Sequence, residues 1–114
     1  MVRFGNFEVE YNRNAPDKVS VRIETDDKGE VWLPKCDIAR AYGVFVQSVN
    51  AGLKSLAKTG DFDEYRDVRV EHFTYNGKNS SVDLYSLATI IALGFRMKGL
   101  KCEAFRKWAA RRQK

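Results

Sequence analysis

The sequence predicts an α+β domain, and three observations support this prediction. Apolar and polar residues alternate in short segments near the N-terminus, as they do in antiparallel strands. From residue 34 to residue 58 the apolar spacing changes to that of helices. The pair Asn76-Gly77 then separates two further strand-like segments, which is a strong hairpin signal because both residues tolerate positive φ.

Three short strands are predicted before residue 34. Residues 7–11 and 19–23 alternate between apolar and polar side chains, and residues 31–33 form a third apolar segment. Clusters of Asn, Asp and Gly separate these segments and indicate turns. We expect the three strands to form a small antiparallel sheet within residues 1–33.

Two helices joined by a tight turn are predicted for residues 34–58. The first spans about 34–42 and begins at Pro34, whose missing N–H would be unpaired in a first helical turn anyway. Gly43 is expected to end this helix, because glycine adopts the left-handed conformation without a Cβ clash. The second helix spans about 45–58. The predicted core face of this helix consists of Val46, Val49, Leu53 and Leu56.

A hairpin and C-terminal helices complete the predicted order. The hairpin lies within 66–85, Ser86 is expected to cap the following helix, and a last helix covers about 100–112. The last helix is expected to bury Phe105, Trp108 and Ala109. Two helices joined by a tight turn and followed by a hairpin define a winged helix-turn-helix. The sequence therefore predicts one domain over 1–114, a winged helix-turn-helix with a small N-terminal antiparallel sheet and C-terminal helices over 86–112.

Positive charge is concentrated in two segments of this chain, whose net charge is +5. Residues 35–58 carry four basic side chains and one acidic one, and residues 96–114 carry eight and one. Acidic residues predominate between the two segments. This pattern suits a polyanionic partner, because phosphate contacts supply much of the affinity for nucleic acids. A solvated basic surface without a partner has the same composition.

The composition also indicates where the protein resides. No run of about 18 apolar residues is present, and the N-terminus lacks the apolar stretch of a signal peptide. We therefore expect a cytoplasmic protein without a membrane partner. Cys36 and Cys102 are expected to be small buried hydrophobes rather than a disulfide pair.

Catalysis has little support in the sequence. His72 lies in a predicted strand and is expected to be structural, no Cys/His set has zinc spacing, and no glycine-rich loop matches a phosphate cradle. The acidic run at Asp61, Asp63, Glu64 and Asp67 is expected to be a solvated loop. We expect no enzyme activity, no cofactor or metal, and no small-molecule substrate.

The second helix carries the candidate base-contacting residues. If it lies in the major groove of DNA, its outward side chains meet the base edges, where Gln and Asn pair with adenine and Lys with guanine. These outward residues are Phe45, Gln47, Ser48, Asn50, Ala51, Lys54 and Ser55. A polar face of a helix in solvent is the alternative interpretation.

Two further groups are candidates for contact with the DNA backbone. The predicted backbone clamps are Lys35, Arg40 and Lys58. The predicted wing consists of the hairpin-tip residues Asn76, Lys78 and Asn79. Lys78 is placed to reach a phosphate or the minor groove, although a solvated turn has the same residues.

The chain resembles the RhuM virulence-associated family. The resemblance covers nearly the whole chain, which is similar to the N-terminal part of longer family members. It lies in Val31-Trp32-Leu33-Pro34, Ile38-Ala39-Arg40-Ala41-Tyr42-Gly43, Val49-Asn50, Leu84-Tyr85-Ser86-Leu87, Ile90-Ile91, Leu93-Gly94-Phe95-Arg96 and Phe105-Arg106-Lys107-Trp108-Ala109. Phe95 stands where tyrosine is usual, and Met97-Lys98-Gly99 replaces an asparagine-containing turn.

The resemblance implies a bacterial DNA-binding module, often found in mobile DNA. Together with the helix-turn-helix pattern, it leads us to expect a sequence-specific double-stranded DNA-binding domain in transcription regulation or mobile-element maintenance, possibly as a homodimer. The alternative is a protein–protein interaction module in which the helix-turn-helix is only a scaffold and the basic last helix docks an acidic partner.

Overall fold

A computed structural model describes residues 3–12 and 14–112 as an α+β fold with two antiparallel sheets and five helices. The strands are β1 (Asn6–Asn12), β2 (Ala15–Glu24), β3 (Trp32–Leu33), β4 (Val68–Tyr75) and β5 (Lys78–Ser86). The helices are α1 (Lys35–Tyr42), α2 (Val46–Lys58), α3 (Glu64–Asp67), α4 (Leu87–Arg96) and α5 (Leu100–Arg111). Among the residues that the structure describes, we find no helix with the length and apolar character of a transmembrane span.

The N-terminal sheet contains two strands rather than the predicted three. β1 and β2 pair antiparallel, with Phe7 opposite Ile23 and Val9 opposite Val21. Phe7 and Val9 are buried, because alternate residues of β1 face the helices. The prediction that β3 joins β1 and β2 is wrong, since β3 pairs with β5 and meets the N-terminal segment through an isolated bridge between Phe4 and Trp32.

The second sheet has the strand order β3-β5-β4. β4 and β5 form the predicted hairpin, and Asn76 and Gly77 occupy its turn with φ angles of 51° and 76°. β3 lies against the base of the hairpin, where Trp32 pairs with Ser86 and Leu33 with Tyr85. Since α1, α2 and α3 connect β3 to β4, the sheet holds both ends of this helical segment.

The turn between α1 and α2 is formed as predicted. Gly43 takes φ 64°, and its N–H donates to the carbonyl oxygens of Ala39 and Arg40 at the end of α1. The predicted core face of α2 is correct for Val49, Leu53 and Leu56 but wrong for Val46, which is 39% exposed. Gly52, which the sequence did not assign to this face, is buried in the core. A Cβ at this position would lie 2.7 Å from Leu93 Cδ2, so the lack of a side chain allows α4 to approach α2.

The core is centred on three aromatic rings from separate elements. Phe7 of β1, Tyr42 of α1 and Phe105 of α5 lie with ring centroids 5.4 to 5.8 Å apart in tilted and edge-to-face arrangements. The side chain of Tyr42 also donates a hydrogen bond to the carbonyl oxygen of Ile90 in α4. β1, α1, α4 and α5 therefore share one apolar centre.

Several side-chain predictions for this core need correction. Phe105 and Cys102 are buried as predicted, and burial raises the pKa of the Cys102 thiol. Trp108 and Ala109 are only partly buried, because α5 presents its first two turns more fully to the core. Cys36 is likewise only partly buried, near the start of α1.

The acidic run after α2 is solvent-exposed at Asp61, Asp63 and Glu64, as the sequence predicts, but it forms a short helix and buries Asp67. Asp63 caps the short helix α3, accepting a hydrogen bond from the Tyr65 N–H. Asp67 is 3% exposed and accepts hydrogen bonds from Arg66 and from the hydroxyl of Ser86, at the base of the hairpin. Burial raises its pKa, but these donors lower it more, so the pKa of Asp67 lies below its ordinary value.

Candidate nucleic-acid interface

The outer face of α2 carries a ridge of four exposed residues. Gln47, Ala51, Lys54 and Lys58 follow one another at intervals of four, three and four, so that they share the helix face opposite buried Val49. Two of the four are lysines, and no carboxylate lies on α2. We refer to these four residues as the α2 ridge.

The N-terminal end of α2 adds a second favourable feature. Phe45 takes the N-cap position without a side-chain hydrogen bond, and its ring is 80% exposed. The first turn contains no acidic residue. Because unpaired N–H groups and the helix dipole make a helix N-terminus positive, this end of the α2 ridge attracts anions such as phosphate.

Asn50 lies on one flank of α2 and not on its outer face. It lines an open groove of about 710 Å³ between α2 and the hairpin, which Lys35, Val70 and Asp83 also line. Its Oδ1 atom is buried and has no hydrogen-bond partner among the described residues. The prediction that Asn50 points outward like Gln47 is therefore wrong.

The opposite flank of α2 is engaged by α4. The hydroxyl of Ser55 accepts a hydrogen bond of 2.8 Å from Arg96, and the same guanidinium donates to Thr59 and Asp61 at 3.2 and 3.4 Å. Ser48 is also only partly exposed. Of the seven residues predicted to face outward, the structure thus exposes Phe45, Gln47, Ala51 and Lys54, and it partly buries Ser48, Asn50 and Ser55.

The three predicted backbone clamps lie in different places. Lys58 ends the α2 ridge. Lys35 lines the groove, with its Nζ atom 5.8 Å from the centre of the Tyr85 ring. Arg40 lies in a separate cleft beside β1, where it is 3.6 Å from Asp37. Lys58 therefore lies on the outer side of α2, and Lys35 lies on its groove side. Arg40 lies beside β1, away from both.

The predicted wing residues lie at the exposed tip of the hairpin. Lys78 follows the turn directly, and Asn79 accepts a hydrogen bond of 3.4 Å from the hydroxyl of Thr74. Strand alternation places Val70, His72 and Thr74 on one sheet face, and Val70 lines the groove beside α2.

His72 is exposed, so it is not the buried structural side chain that the sequence predicts. Sequence reasoning missed its position on the groove side of the sheet. The hairpin register around Asn76-Gly77, combined with the two-residue period, contains the signal that identifies it.

The groove and the ridge differ in charge. Two carboxylates, Glu64 and Asp83, line the groove together with Lys35 and with Lys54, which also belongs to the α2 ridge. The α2 ridge itself carries no carboxylate. Burial, together with the smaller effect of the Asp83 and Glu64 carboxylates, raises the pKa of Tyr85 in this groove to about 12. Phosphate groups therefore suit the outer face of α2 better than the floor of the groove.

The part of the chain that the structure describes holds no group of three or more His, Cys, Asp or Glu residues arranged to bind a metal ion. Comparisons of the chain with protein-family models, with curated proteins and with solved structures give no match.

Proposed function

We propose that this chain is a double-stranded DNA-binding domain of the winged helix-turn-helix type. In this proposal α2 enters the major groove and the β4–β5 hairpin is the wing. The order β3-α1-α2-α3-β4-β5, with β3 paired to β5, supports it because a wing anchored in this way is fixed beside the second helix. The α2 ridge carries the proposal, since it offers amide, methyl and ammonium groups on one exposed helix face.

The dimensions of the α2 ridge suit the major groove. From Gln47 to Lys58 the ridge extends about 16 Å, at the rise of about 1.5 Å per residue in an α-helix. The major groove, about 12 Å wide, admits a helix. Gln47 is then the base-contacting amide, Ala51 faces a thymine methyl group, and Lys54 and Lys58 approach guanine or phosphate.

The resemblance to the RhuM virulence-associated family favours the same function. It supports sequence-specific binding by a cytoplasmic bacterial protein in transcription regulation or mobile-element maintenance. A homodimer fits this role, because two copies of a helix-turn-helix contact two half-sites.

The salt dependence of duplex binding tests the proposal. The affinity for genomic DNA fragments is measured by fluorescence anisotropy over a range of salt concentrations. We expect log Kd to change linearly with log salt, and the double variant Lys54→Ala/Lys58→Ala to reduce the slope by about two, since each phosphate contact contributes about 0.9.

A matched control removes the same charge elsewhere. Lys18→Ala/Lys28→Ala takes two lysines from β2 and the turn that follows it, and we expect it to leave the slope unchanged. Absence of duplex binding by the wild-type protein contradicts the proposal. An equal slope change in both double variants would show that α2 is not part of the DNA interface.

Exposed aromatic rings favour protein–protein interaction as the second candidate function. Tyr65 is 100% exposed at the rim of the groove, and Phe45 is 80% exposed at the start of α2. Aromatic side chains are enriched in protein interfaces. In this case Phe45→Ala abolishes the capture of a protein partner, and no salt-dependent duplex binding is observed.

A further inference from the structure

The turn between α4 and α5 is fixed beside the first half of α2. Met97 follows α4 and is 4% exposed, and a Cβ at Gly52 of α2 would lie 3.4 Å from its Cγ atom. Gly99 precedes α5, and a Cβ there would lie 3.5 Å from Val44 Cγ1, just before α2. Lys98 lies between these two contacts and is exposed. The backbone of Lys98 is therefore held next to α2, while its side chain remains accessible to a ligand.

The α4–α5 turn and the β4–β5 hairpin lie on opposite flanks of α2. Ser48, Gly52 and Ser55 follow one another at intervals of four and three, so they share one flank of this helix. Gly52 on this flank meets α4, and Ser55 accepts the hydrogen bond from Arg96. The hairpin lies beyond the other flank, across the groove that Asn50 lines. The α2 ridge is therefore exposed between the hairpin and the α4–α5 turn.

The cations of the C-terminal basic segment differ in how far the fold engages them. Four of them bind hydroxyl and carboxylate groups, backbone carbonyls or an aromatic ring of the same chain: Arg96, Arg106, Lys107 and Arg112. The stem of Lys101 lies against Gly43, and this lysine lines the cleft beside β1 together with three carboxylates. Lys98 has no ion pair or hydrogen bond within the described residues. Its positive charge is therefore available to an external anion.

A helix that lies in the major groove has a phosphate backbone on each side. The groove is about 12 Å wide, and an α-helix with its side chains is about 10–12 Å across, so groups that flank the helix meet the two strands. Contacts of such groups with phosphate fix the position of a protein on the duplex. When the α2 ridge faces the bases, the hairpin approaches one strand and Lys98 approaches the other.

We propose that the α4–α5 turn binds the phosphate backbone of DNA on the side of α2 opposite the hairpin, through the ammonium group of Lys98. This inference rests on the proposed binding of duplex DNA, and it adds a contact outside both the helix pair and the wing. A lysine ammonium group binds phosphate as a point charge, and a phosphate contact carries no base information. Lys98 therefore contributes affinity and orientation but no base preference.

The salt dependence of binding tests this contact, with the full chain and duplex fragments of genomic DNA as the probe. We expect Lys98→Ala to reduce the slope of log Kd against log salt by about 0.9, the value for one phosphate contact on B-DNA. Lys98→Arg keeps the positive charge and should retain the wild-type slope. Selection from a randomised duplex library should give the same base preference for the wild type and both variants.

Lys107→Ala is the matched control, because it removes the same charge from the same basic segment. Lys107 is paired with Glu103 at 3.6 Å on α5, and we expect its replacement to leave the slope unchanged. Far-UV circular dichroism checks that both variants are folded. An unchanged slope in Lys98→Ala overturns the proposal. Equal slope changes in Lys98→Ala and Lys107→Ala also overturn it, since they would reflect net charge alone.

The double variant of the α2 ridge separates this proposal from the proposed function. If Lys54→Ala/Lys58→Ala lowers the slope and Lys98→Ala does not, α2 contacts DNA and only the contact at the α4–α5 turn is wrong. If the wild-type protein binds no duplex at any salt concentration, both proposals are wrong.

Discussion

The hydroxyl group of Tyr42 donates a hydrogen bond of 2.7 Å to the carbonyl oxygen of Ile90, and this bond links α1 to α4 across the core. The ring of Tyr42 is 1% exposed, and burial raises the pKa of its hydroxyl group, with Cys102 as a smaller cause. The hydroxyl therefore stays protonated and remains a donor throughout the neutral and mildly alkaline range.

Tyr42→Phe removes this bond while keeping the ring. We expect the free energy of unfolding to fall by about 1 kcal/mol, the typical net value of one hydrogen bond. Urea unfolding followed by circular dichroism measures it. Tyr65→Phe makes the same chemical change at a fully exposed ring and should alter stability by less than about 0.5 kcal/mol. Equal effects of the two changes would show that the buried bond contributes nothing.

Gly94 allows the same region to pack closely. A Cβ at Gly94 would lie 2.5 Å from Phe105 Cδ2 and 2.6 Å from the Tyr42 hydroxyl oxygen. We expect Gly94→Ala to lower the free energy of unfolding by about 1–3 kcal/mol, because overpacking outweighs the better helix propensity of alanine.

Gly52→Ala is the comparison for this variant. Its Cβ would meet the end of the Leu93 side chain at 2.7 Å, and a terminal methyl group moves more easily than an aromatic ring. We therefore expect a smaller loss of stability. A larger loss in Gly52→Ala would mean that the contact of α2 with α4 is the tighter one.

Arg106 closes the C-terminal end of α4. One of its terminal nitrogens donates to the carbonyl oxygens of Gly94 and Met97 at 3.1 and 2.9 Å. Carbonyl groups at a helix end have no partner inside the helix, so a charged donor there stabilises the fold.

We expect Arg106→Ala to lower the free energy of unfolding by about 2 kcal/mol, as measured by urea unfolding. Lys107→Ala, at a neighbouring exposed position with an ion pair to Glu103 of 3.6 Å, should change it by less than about 0.5 kcal/mol. If both variants behave alike, the bonds to α4 are not formed in solution.

Asp67 makes stability depend on pH in the acid range. Its pKa in the folded chain lies below the ordinary value of 3.8, because hydrogen bonds from Arg66, the Asp63 N–H and Ser86 outweigh the opposing effect of burial. The folded state therefore binds fewer protons than the unfolded state. The resulting stability is fully present above about pH 4 and is lost as the pH falls through the folded pKa.

Asp67→Asn removes this contribution. We expect it to lower the free energy of unfolding by about 2 kcal/mol at neutral pH, with the difference from the wild type shrinking below about pH 4. Urea unfolding at a series of pH values measures the difference. Asp27→Asn serves as the control at an exposed carboxylate. A difference that is constant from pH 7 to the acid range would contradict the ionic role of Asp67.

The local parts of the fold could be predicted from the sequence. The helix pair, the turn at Gly43 and the hairpin at Asn76-Gly77 depend on periodicity and on φ preferences, which are properties of neighbouring residues. The pairing of β3 with β5 depends on residues more than fifty positions apart. Alternation in a short strand does not specify its partner, and the sequence therefore places β3 with the wrong sheet.

The sequence likewise predicts the outer face of α2 correctly but not the two flanks of this helix. Helical spacing alone places Gln47, Ala51 and Lys54 on the face opposite Val49. The flanks depend on what packs beside α2: the hairpin covers the side of Asn50, and Arg96 engages Ser55. Those tertiary neighbours are not visible in the periodicity of one helix.

Gln47 and Asn50 carry the same amide group, and their positions predict different behaviour. Gln47 is exposed on the α2 ridge, whereas Oδ1 of Asn50 is buried without a partner beside the groove. If α2 enters the major groove of DNA as proposed, we expect Gln47→Ala to relax the base preference at one position by about 1–3 kcal/mol, as the loss of a bidentate contact does.

Asn50→Ala should leave the base preference unchanged. It should also keep or slightly raise the free energy of unfolding, because replacing an unsatisfied buried amide with an apolar group removes a desolvation cost. Selection of binding sites from a randomised duplex library, followed by urea unfolding of both variants, measures these effects. Lys58→Ala is the control, expected to weaken all duplexes equally. A change in base preference in Asn50→Ala but not in Gln47→Ala would mean that DNA enters the groove between α2 and the hairpin, and that the α2 ridge faces away from the bases.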